Sequence, residues 1–301
     1  MDKAFFANSG AEANEAAIKI ARLHGHSNKI DNPVILTANQ SFHGRTMATL
    51  SATGNAKVQD GFAPLLAEFI HIDFNDVEAI KAHSSNKNIV AVMLEPIQGE
   101  SGVIVPAEDY LNQVQSICQT NNWLLILDEV QTGIGRTGRW FAHQYNDITP
   151  DVLTLAKGLG NGVPIGACLA KGKASTLFTP GTHGSTFGGN PLVCKTALSV
   201  LETIEKDCIL NNTIKMGLYL AAGLQAKLSA DKVIEIRQKG LMIAIELNQD
   251  CTQLLNAALA KKLLINITGR SIRLLPPLIL NQQEADIIIN TIEELLNALS
   301  A

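Results

Sequence analysis

The stretch Trp123-Leu124-Leu125-Ile126-Leu127-Asp128-Glu129-Val130, with Ala156-Lys157-Gly158 further on, decides the fold. Its apolar run, bounded by a turn-rich tail, reads as a buried strand of a parallel sheet. The strand ends in two carboxylates, at the edge where open α/β sheets bind their ligands. A carboxylate buried without a partner is costly, so one is expected there. Lys157 lies among small residues in Leu155-Ala156-Lys157-Gly158-Leu159-Gly160.

An acid at a strand end and a lysine in a Gly-rich turn are what pyridoxal phosphate (PLP) requires. The acid keeps the pyridine nitrogen protonated, so that the ring draws electrons, and the lysine holds the aldehyde as a Schiff base. Two rival readings exist. An apolar strand ending in Asp-Glu also describes the Walker B strand of a P-loop ATPase, which needs G-x-x-x-x-G-K-[ST] upstream. The only Gly-Lys is Gly172-Lys173, followed by Ala174 and with Ala167 where the first glycine belongs. The remaining alternative is a buried strand whose acids only cap the next turn.

Working outward, strand and helix patterns alternate. Ala4 to Asn8 is short and apolar. Ala11 to His24 reads as a helix stopped by Gly25. Strands are expected at Val34–Ala38, Phe69–Ile72, Ile89–Leu94, Val152–Leu155 and Ile165–Ala170, with helices at Asp76–His83 and Ala107–Asn121. This alternation implies an α/β fold, a mostly parallel sheet with helices on both faces. Pro191 opens a helix pattern running to about Leu228. Beyond it, strands at Val233–Arg237, Met242–Leu247 and Ser271–Leu275 and helices at Thr252–Lys262 and Glu284–Leu299 make a smaller C-terminal α+β domain. The expected division is 1–195 and 196–301, with helix 191–228 as the connection.

At 301 residues the chain is long enough for two domains and a large core. Its 46% hydrophobic and 17% charged residues are ordinary for a soluble α/β enzyme. A net charge of −4 without any basic run argues against a nucleic-acid partner. The five cysteines form no C-x-x-C pair and are odd in number, which suits reduced thiols, no zinc site and a cytoplasmic location. Met1-Asp2-Lys3-Ala4-Phe5-Phe6 is no signal peptide, and no apolar run approaches a membrane span.

Four further segments carry candidate chemistry. In Asn8-Ser9-Gly10-Ala11-Glu12, Ser9 and Glu12 make a capping box, and the small residues let an anion approach the helix N-terminus; an ordinary capped helix fits equally. In Ser41-Phe42-His43-Gly44-Arg45-Thr46, Phe42 suits stacking on a flat ring and Arg45 a carboxylate, against plain packing and a surface arginine. His43 reads equally as packing or catalytic. Glu95-Pro96-Ile97-Gln98-Gly99-Glu100 holds two acids in a turn, too few oxygens for a magnesium or calcium site. Thr182-His183-Gly184-Ser185-Thr186-Phe187-Gly188-Gly189-Asn190-Pro191 is a polar loop before a helix, with hydroxyls suited to a phosphate or a polar substrate.

These segments, with Asp128-Glu129-Val130-Gln131-Thr132-Gly133-Ile134-Gly135-Arg136-Thr137-Gly138 and the lysine turn, occur in an order that resembles the class III, fold-type I PLP aminotransferases. The resemblance covers essentially the whole chain and looks closest to the acetylornithine aminotransferase branch. Ornithine, succinylornithine and 4-aminobutyrate aminotransferases share most of the motifs. The resemblance implies a homodimer and a role for each matching position. Lys157 would be the Schiff-base lysine and then the general base. Asp128 would pair with the pyridinium nitrogen and Gln131 with the ring hydroxyl, while Val130 and Phe42 would pack on the two ring faces. Gly10 and Ala11 would hold the phosphate, joined by Thr186 from the partner subunit, with Ser185 near the substrate.

The same resemblance implies that an amine leaves the far end of acetylornithine and passes to 2-oxoglutarate, as a step of arginine biosynthesis. Arg45 would read the carboxylate distant from the reacting carbon. Arg273 would read the α-carboxylate of glutamate or 2-oxoglutarate, and Glu100 would neutralise it when acetylornithine is bound. The family carries a further N-terminal segment before the position of Asn8. The expectation is therefore a chain shortened on that side, poorly soluble and less active, or in the extreme an inactive fragment.

Overall fold

The apolar runs line up side by side in the computed structural model, which describes residues 1–299. Seven strands, β1 (Lys3–Ala7), β2 (Val34–Ala38), β3 (Phe69–Ile72), β4 (Ile89–Leu94), β5 (Leu124–Asp128), β6 (Val152–Leu155) and β7 (Gly166–Ala170), form one sheet. Their spatial order is β1-β7-β6-β5-β4-β2-β3. Only β7 runs antiparallel to its neighbours β1 and β6; the other adjacent pairs are parallel. The link from β6 to β7 is a turn and not a crossover helix, and a turn reverses the chain. β2, β4 and β5 are buried along their whole length, which is why each reads as an unbroken apolar run.

The helices that accompany this sheet are α1 (Gly10–Ser27), α2 (Met47–Ala52), α3 (Ala56–Gln59), α4 (Val77–Ala82), α5 (Tyr110–Asn121) and α6 (Pro191–Lys206). α1 lays a stripe of small residues, Ala16, Ala17 and Ala21, with Ile20 into the core made by Ile35, Val90, Met93, Leu124 and Ile126. Side chains this small let the helix backbone come close to the sheet.

The chain divides into two compact units. The first comprises Met1–Pro96, Pro106–Ile134 and Ala142–Glu202; the second comprises Ile97–Val105, Gly135–Phe141 and the chain from Thr203 onward. The second unit holds α7 (Ile209–Lys227), β8 (Val233–Lys239), β9 (Met242–Leu247), α8 (Leu254–Ala260), β10 (Asn266–Thr268), β11 (Ser271–Leu274) and α9 (Gln282–Ala298). Its four strands form an antiparallel sheet in the order β10-β11-β9-β8. Ile243, Ile245, Ile272 and Leu274 of that sheet share a core with Leu220 and Leu224 of α7 and Ile288, Ile289 and Ile292 of α9. Arg136 donates to the carbonyls of Leu241 and Pro276 at 3.1 and 2.6 Å within this unit.

Three local expectations are corrected. The stretch 191–228 is two helices, α6 and α7, broken where Cys208 adopts φ +50°; neither Gly nor Pro marks the break. The capping box at α1 is half-formed. Ser9 accepts from the Glu12 amide, but the Glu12 carboxylate reaches the backbone N–H and side-chain amide of Asn8 at 2.7 and 2.8 Å. Gly25 does not stop α1, which runs on to Ser27.

Gly25 is there for space. A Cβ on it would lie 2.7 Å from both Cβ and Cγ of Pro33 and 2.9 Å from Val90 Cγ1. In an open helix Gly→Ala gains about 1 kcal/mol, whereas overpacking a core costs about 1–3 kcal/mol. Gly25→Ala is therefore expected to lower stability, by up to about 2 kcal/mol net, in urea unfolding. Unchanged or raised stability would show that the Pro33 ring gives way.

Candidate active site

The end of β5 puts Asp128 in the interior, 4% exposed. Its Oδ2 accepts from Asn14 Nδ2 at 2.7 Å and His43 Nδ1 at 2.8 Å, and its Oδ1 from the Val130 amide at 3.0 Å. Asn14 sits on the buried face of α1, where it also donates to the His43 carbonyl at 2.8 Å and accepts from Thr154 Oγ1 at 2.7 Å. Thr154 is the β6 residue in register with Asp128. Asn14 thus lies across the β5–β6 pair and ties a helix to both strands. The His43 amide is held in turn by Thr53 Oγ1 at 2.9 Å.

His43 is fully buried. Burial lowers its pKa, but the hydrogen bond that its ring gives to Asp128 and the charges of Asp128 and Glu95 outweigh this, and the net shift is upward. The result is a buried His43–Asp128 pair at the end of β5 in which the carboxylate favours the protonated ring. The neighbouring acid has a different task. Glu129 accepts from Thr132 Oγ1, the amides of Ala142 and His143, and His143 Nδ1, all within 3.0 Å. The turn-capping reading holds for Glu129, and Asp128 alone of the two faces a cavity.

That cavity has a volume of about 460 Å³, within the range of small-ligand sites. Its walls are the first turn of α1 with Asn8, Ser9, Gly10 and Ala11, the loop bearing Phe42, His43 and Arg45, the strand ends with Glu95, Asp128, Val130 and Gln131, and the turn with Ala156 and Lys157. Gly10 packs onto Val130: a Cβ on it would meet Val130 Cγ1 at 2.7 Å. Arg45 Cζ lies 5.7 Å from the centre of the Phe42 ring, a cation–π distance. The Phe42 amide donates to Glu95 at 3.1 Å. Lys157 has φ +44°, a left-handed conformation that costs energy in a non-glycine residue and marks functional turns.

Two expected groups lie elsewhere. Arg273, on β11 of the second unit and 6% exposed, donates to the Gly99 carbonyl at 2.6 Å and to Glu100 Oε2 at 2.9 Å. Ser185 and Thr186 are exposed and do not line the cavity of their own chain; Ser185 Oγ accepts from Asn8 Nδ2 at 3.2 Å. Sequence reading missed Asn14 and the cavity-wall role of Glu95. The signal for Asn14 was a polar residue inside the alanine stripe of α1, four positions after Gly10. Among the described residues, no group of three or more His, Cys, Asp or Glu is placed to hold a metal, and no helix is long and apolar enough to cross a membrane.

The cavity offers a buried anion, an amine on a strained turn, an aromatic wall and a helix N-terminus built of small residues. This donor set fits PLP: Asp128 for the ring nitrogen, Lys157 for the aldehyde, Phe42 and Val130 for the ring faces, Gly10 and Ala11 for the phosphate. Sheet and site together define a fold-type I PLP enzyme. The chain belongs to the family Aminotransferase class-III, whose profile matches residues 1–296, and it is a PLP-dependent aminotransferase. It is 50% identical over 299 residues to the acetylornithine aminotransferase of Nitrosomonas europaea, covering 98% of this chain and 76% of that protein. It is 49% identical, with the same coverage, to acetylornithine aminotransferase 1 of Bordetella pertussis. Among solved structures, the ornithine aminotransferase of Toxoplasma gondii ME49 superposes with a TM-score of 0.95 at 34% identity, over 99% of this chain and 73% of that one. The acetylornithine aminotransferase of Elizabethkingia anophelis gives 0.84 at 35% identity, over 99% and 75%.

A group whose folded pKa is raised stabilises the fold fully below its unfolded value, and this contribution is lost as pH rises through the folded value. The stability difference between wild type and His43→Gln is therefore expected to be greatest below about pH 6.5 and to shrink at higher pH. Urea unfolding from pH 5.5 to 9 measures it; parallel curves would rule out a charged His43 in the folded state.

Proposed function

We propose that this enzyme transfers the terminal amino group of N2-acetylornithine to 2-oxoglutarate, giving N-acetylglutamate semialdehyde and glutamate, as a step of arginine biosynthesis. The observation that carries the substrate reading is the Glu100–Arg273 pair. The arginine side chain is 7% exposed and its carboxylate partner 40% exposed, so the anion is the partner open to solvent. An enzyme whose two amine-bearing substrates differ in having an α-carboxylate at the reacting carbon needs such an arginine. It binds the carboxylate of glutamate, and Glu100 covers it when acetylornithine occupies the site, sparing an unpaired buried charge. The acetylornithine aminotransferases at 50% and 49% identity support the same reading.

PLP, when bound, supplies an electron-withdrawing ring and a place to hold the amino group between the two half-reactions. The rest falls to the chain. Asp128, held by Asn14 and His43, would pair with the ring nitrogen, and Gln131 would meet the ring hydroxyl. Val130 and Phe42 would pack on the ring faces, and Gly10 and Ala11 would hold the phosphate. Lys157 Nζ anchors the cofactor and then moves the proton at the substrate carbon bearing nitrogen. Arg45 binds the distal carboxylate of either substrate. We place Ser185 near the substrate and Thr186 on the phosphate of a partner subunit in a cytoplasmic homodimer. In this reading the first unit, which holds most of 1–195, is the cofactor domain, and the second, which holds most of 196–301 together with 97–105 and 135–141, is the smaller domain. A second reading, ornithine as donor, draws on the TM-score of 0.95 to the Toxoplasma enzyme.

Amine-donor profiling separates the two: acetylornithine turned over well ahead of ornithine and 4-aminobutyrate is the expected result, and ornithine in first place would replace the proposal. Lys157→Ala is expected to lose the borohydride-trapped PLP adduct, while Lys171→Ala and Lys173→Ala retain it; mass spectrometry of the trapped peptide decides. Arg273→Ala is expected to cost the glutamate half-reaction about 2–5 kcal/mol and the acetylornithine half-reaction far less, as read by single-turnover spectroscopy. Equal losses would end the division of labour between Arg273 and Arg45.

A further inference from the structure

The loop that bears Ser185 and Thr186 is tied to α1 at two places. Near the cavity rim, Asn8 Nδ2 donates both to Glu12 Oε2 at 2.8 Å and to Ser185 Oγ at 3.2 Å. Ser185 Oγ also accepts from the Gly188 amide at 3.0 Å, which closes the turn. Two helical turns along the same face, Lys19 Nζ donates to the Thr182 carbonyl at 3.1 Å and lies 2.9 Å from His183 Nδ1. The His183 ring is stacked beside Phe5 of β1, with centroids 4.6 Å apart, and beside Phe178 at 5.2 Å.

The Lys19 contact requires a neutral imidazole. An ammonium has only donors, so Nδ1 must offer its lone pair and the ring proton must sit on Nε2. Protonation of the ring removes this acceptor and sets two cations side by side. The charges bearing on His183 are Lys19, Glu15 and Glu12, all from α1; β1 and residue 178 contribute only rings.

We propose that Lys19 and His183 are positioning residues of this enzyme: the Lys19 ammonium clasps the Thr182 carbonyl and the neutral His183 ring, and so holds the Ser185–Thr186 turn against the residues that lead into α1, in the place from which Thr186 would serve the partner subunit. The clasp itself stands on geometry within the first unit; its bearing on catalysis rests on the roles given above to Ser185 and Thr186. Burial and then Lys19 lower the His183 pKa, against smaller upward effects of Glu15 and Glu12. The clasp is therefore closed at neutral pH. Its contribution is complete above the unfolded histidine value and is lost as pH falls through the lowered folded value.

Hydrogen–deuterium exchange of the PLP-loaded protein, read on a peptide spanning residues 182–190, tests this. A peptide covering β6 serves as the control for global unfolding. After correction for intrinsic exchange, the wild-type loop is expected to exchange faster as pH falls from 7.5 to 5.5. Lys19→Met is expected to exchange about tenfold faster at pH 7.5, the equilibrium factor of one charge-assisted hydrogen bond, with Lys19→Arg close to wild type. His183→Gln keeps an acceptor that does not titrate, so its loop is expected to stay protected and to lose the pH dependence. The proposal is overturned if the loop of Lys19→Met matches wild type, or if the pH dependence persists in His183→Gln. Should Lys19→Met fail to fold, the His183→Gln arm still decides. Because no substrate is present, a failure of the amine-donor profile leaves these outcomes untouched, and the two failures are distinguishable.

Discussion

Everything in the first unit answers to one buried carboxylate. Asp128 sits in the interior with donors from α1, from the loop after β2 and from its own turn. An anion there costs several kcal/mol unless it is fully hydrogen-bonded. The donors come from segments far apart in the chain: Asn14 and His43 lie 114 and 85 positions from Asp128. The cavity wall and the fold are therefore the same constraint. Asn14 extends it to Thr154, so the β5–β6 pair and the seat of α1 are tied together by groups that also wall the cavity.

Adjacent acids on one strand end have come to opposite uses. Asp128 keeps a face toward the cavity, whereas Glu129 spends both oxygens on the chain around 132–143. Asp128 ends β5 facing the cavity and Glu129 follows it just outside the strand, so the Asp-Glu dipeptide carries both jobs.

Much of this was legible in the sequence. Buried parallel strands announce themselves as unbroken apolar runs, so β2, β4, β5 and β6 were placed to the residue or nearly so. The lysine turn and the acid stood out because charged residues are rare beside such runs. Less could be read where structure depends on what lies across from a residue. The break at Cys208 has no Gly or Pro to mark it. Gly25 looks like a helix stop but answers to Pro33 and Val90. The short helices α2 and α3 and the three-residue strand β10 are too brief to set up a period. His43 could not be assigned because nothing local says that an aspartate 85 positions later will lie 2.8 Å away. Arg273 was singled out through its family resemblance; its burial in a β11 position facing Ala244 of β9 came only with the sheet.

The antiparallel strand β7 gives the fold a temporal asymmetry. Among the described residues β1 has β7 as its only neighbour in the sheet, and Asp2 accepts from the Gly172 amide, 170 residues later in the chain. A ribosome adding about 5–20 residues per second takes on the order of ten seconds to cover that distance. Until then Phe5 and Phe6 have no strand to lie against, and the turn that starts α1 has no fixed wall beside it. The end of the cavity walled by the start of α1 is thus complete only once β7, the last strand of the sheet in chain order, is in place.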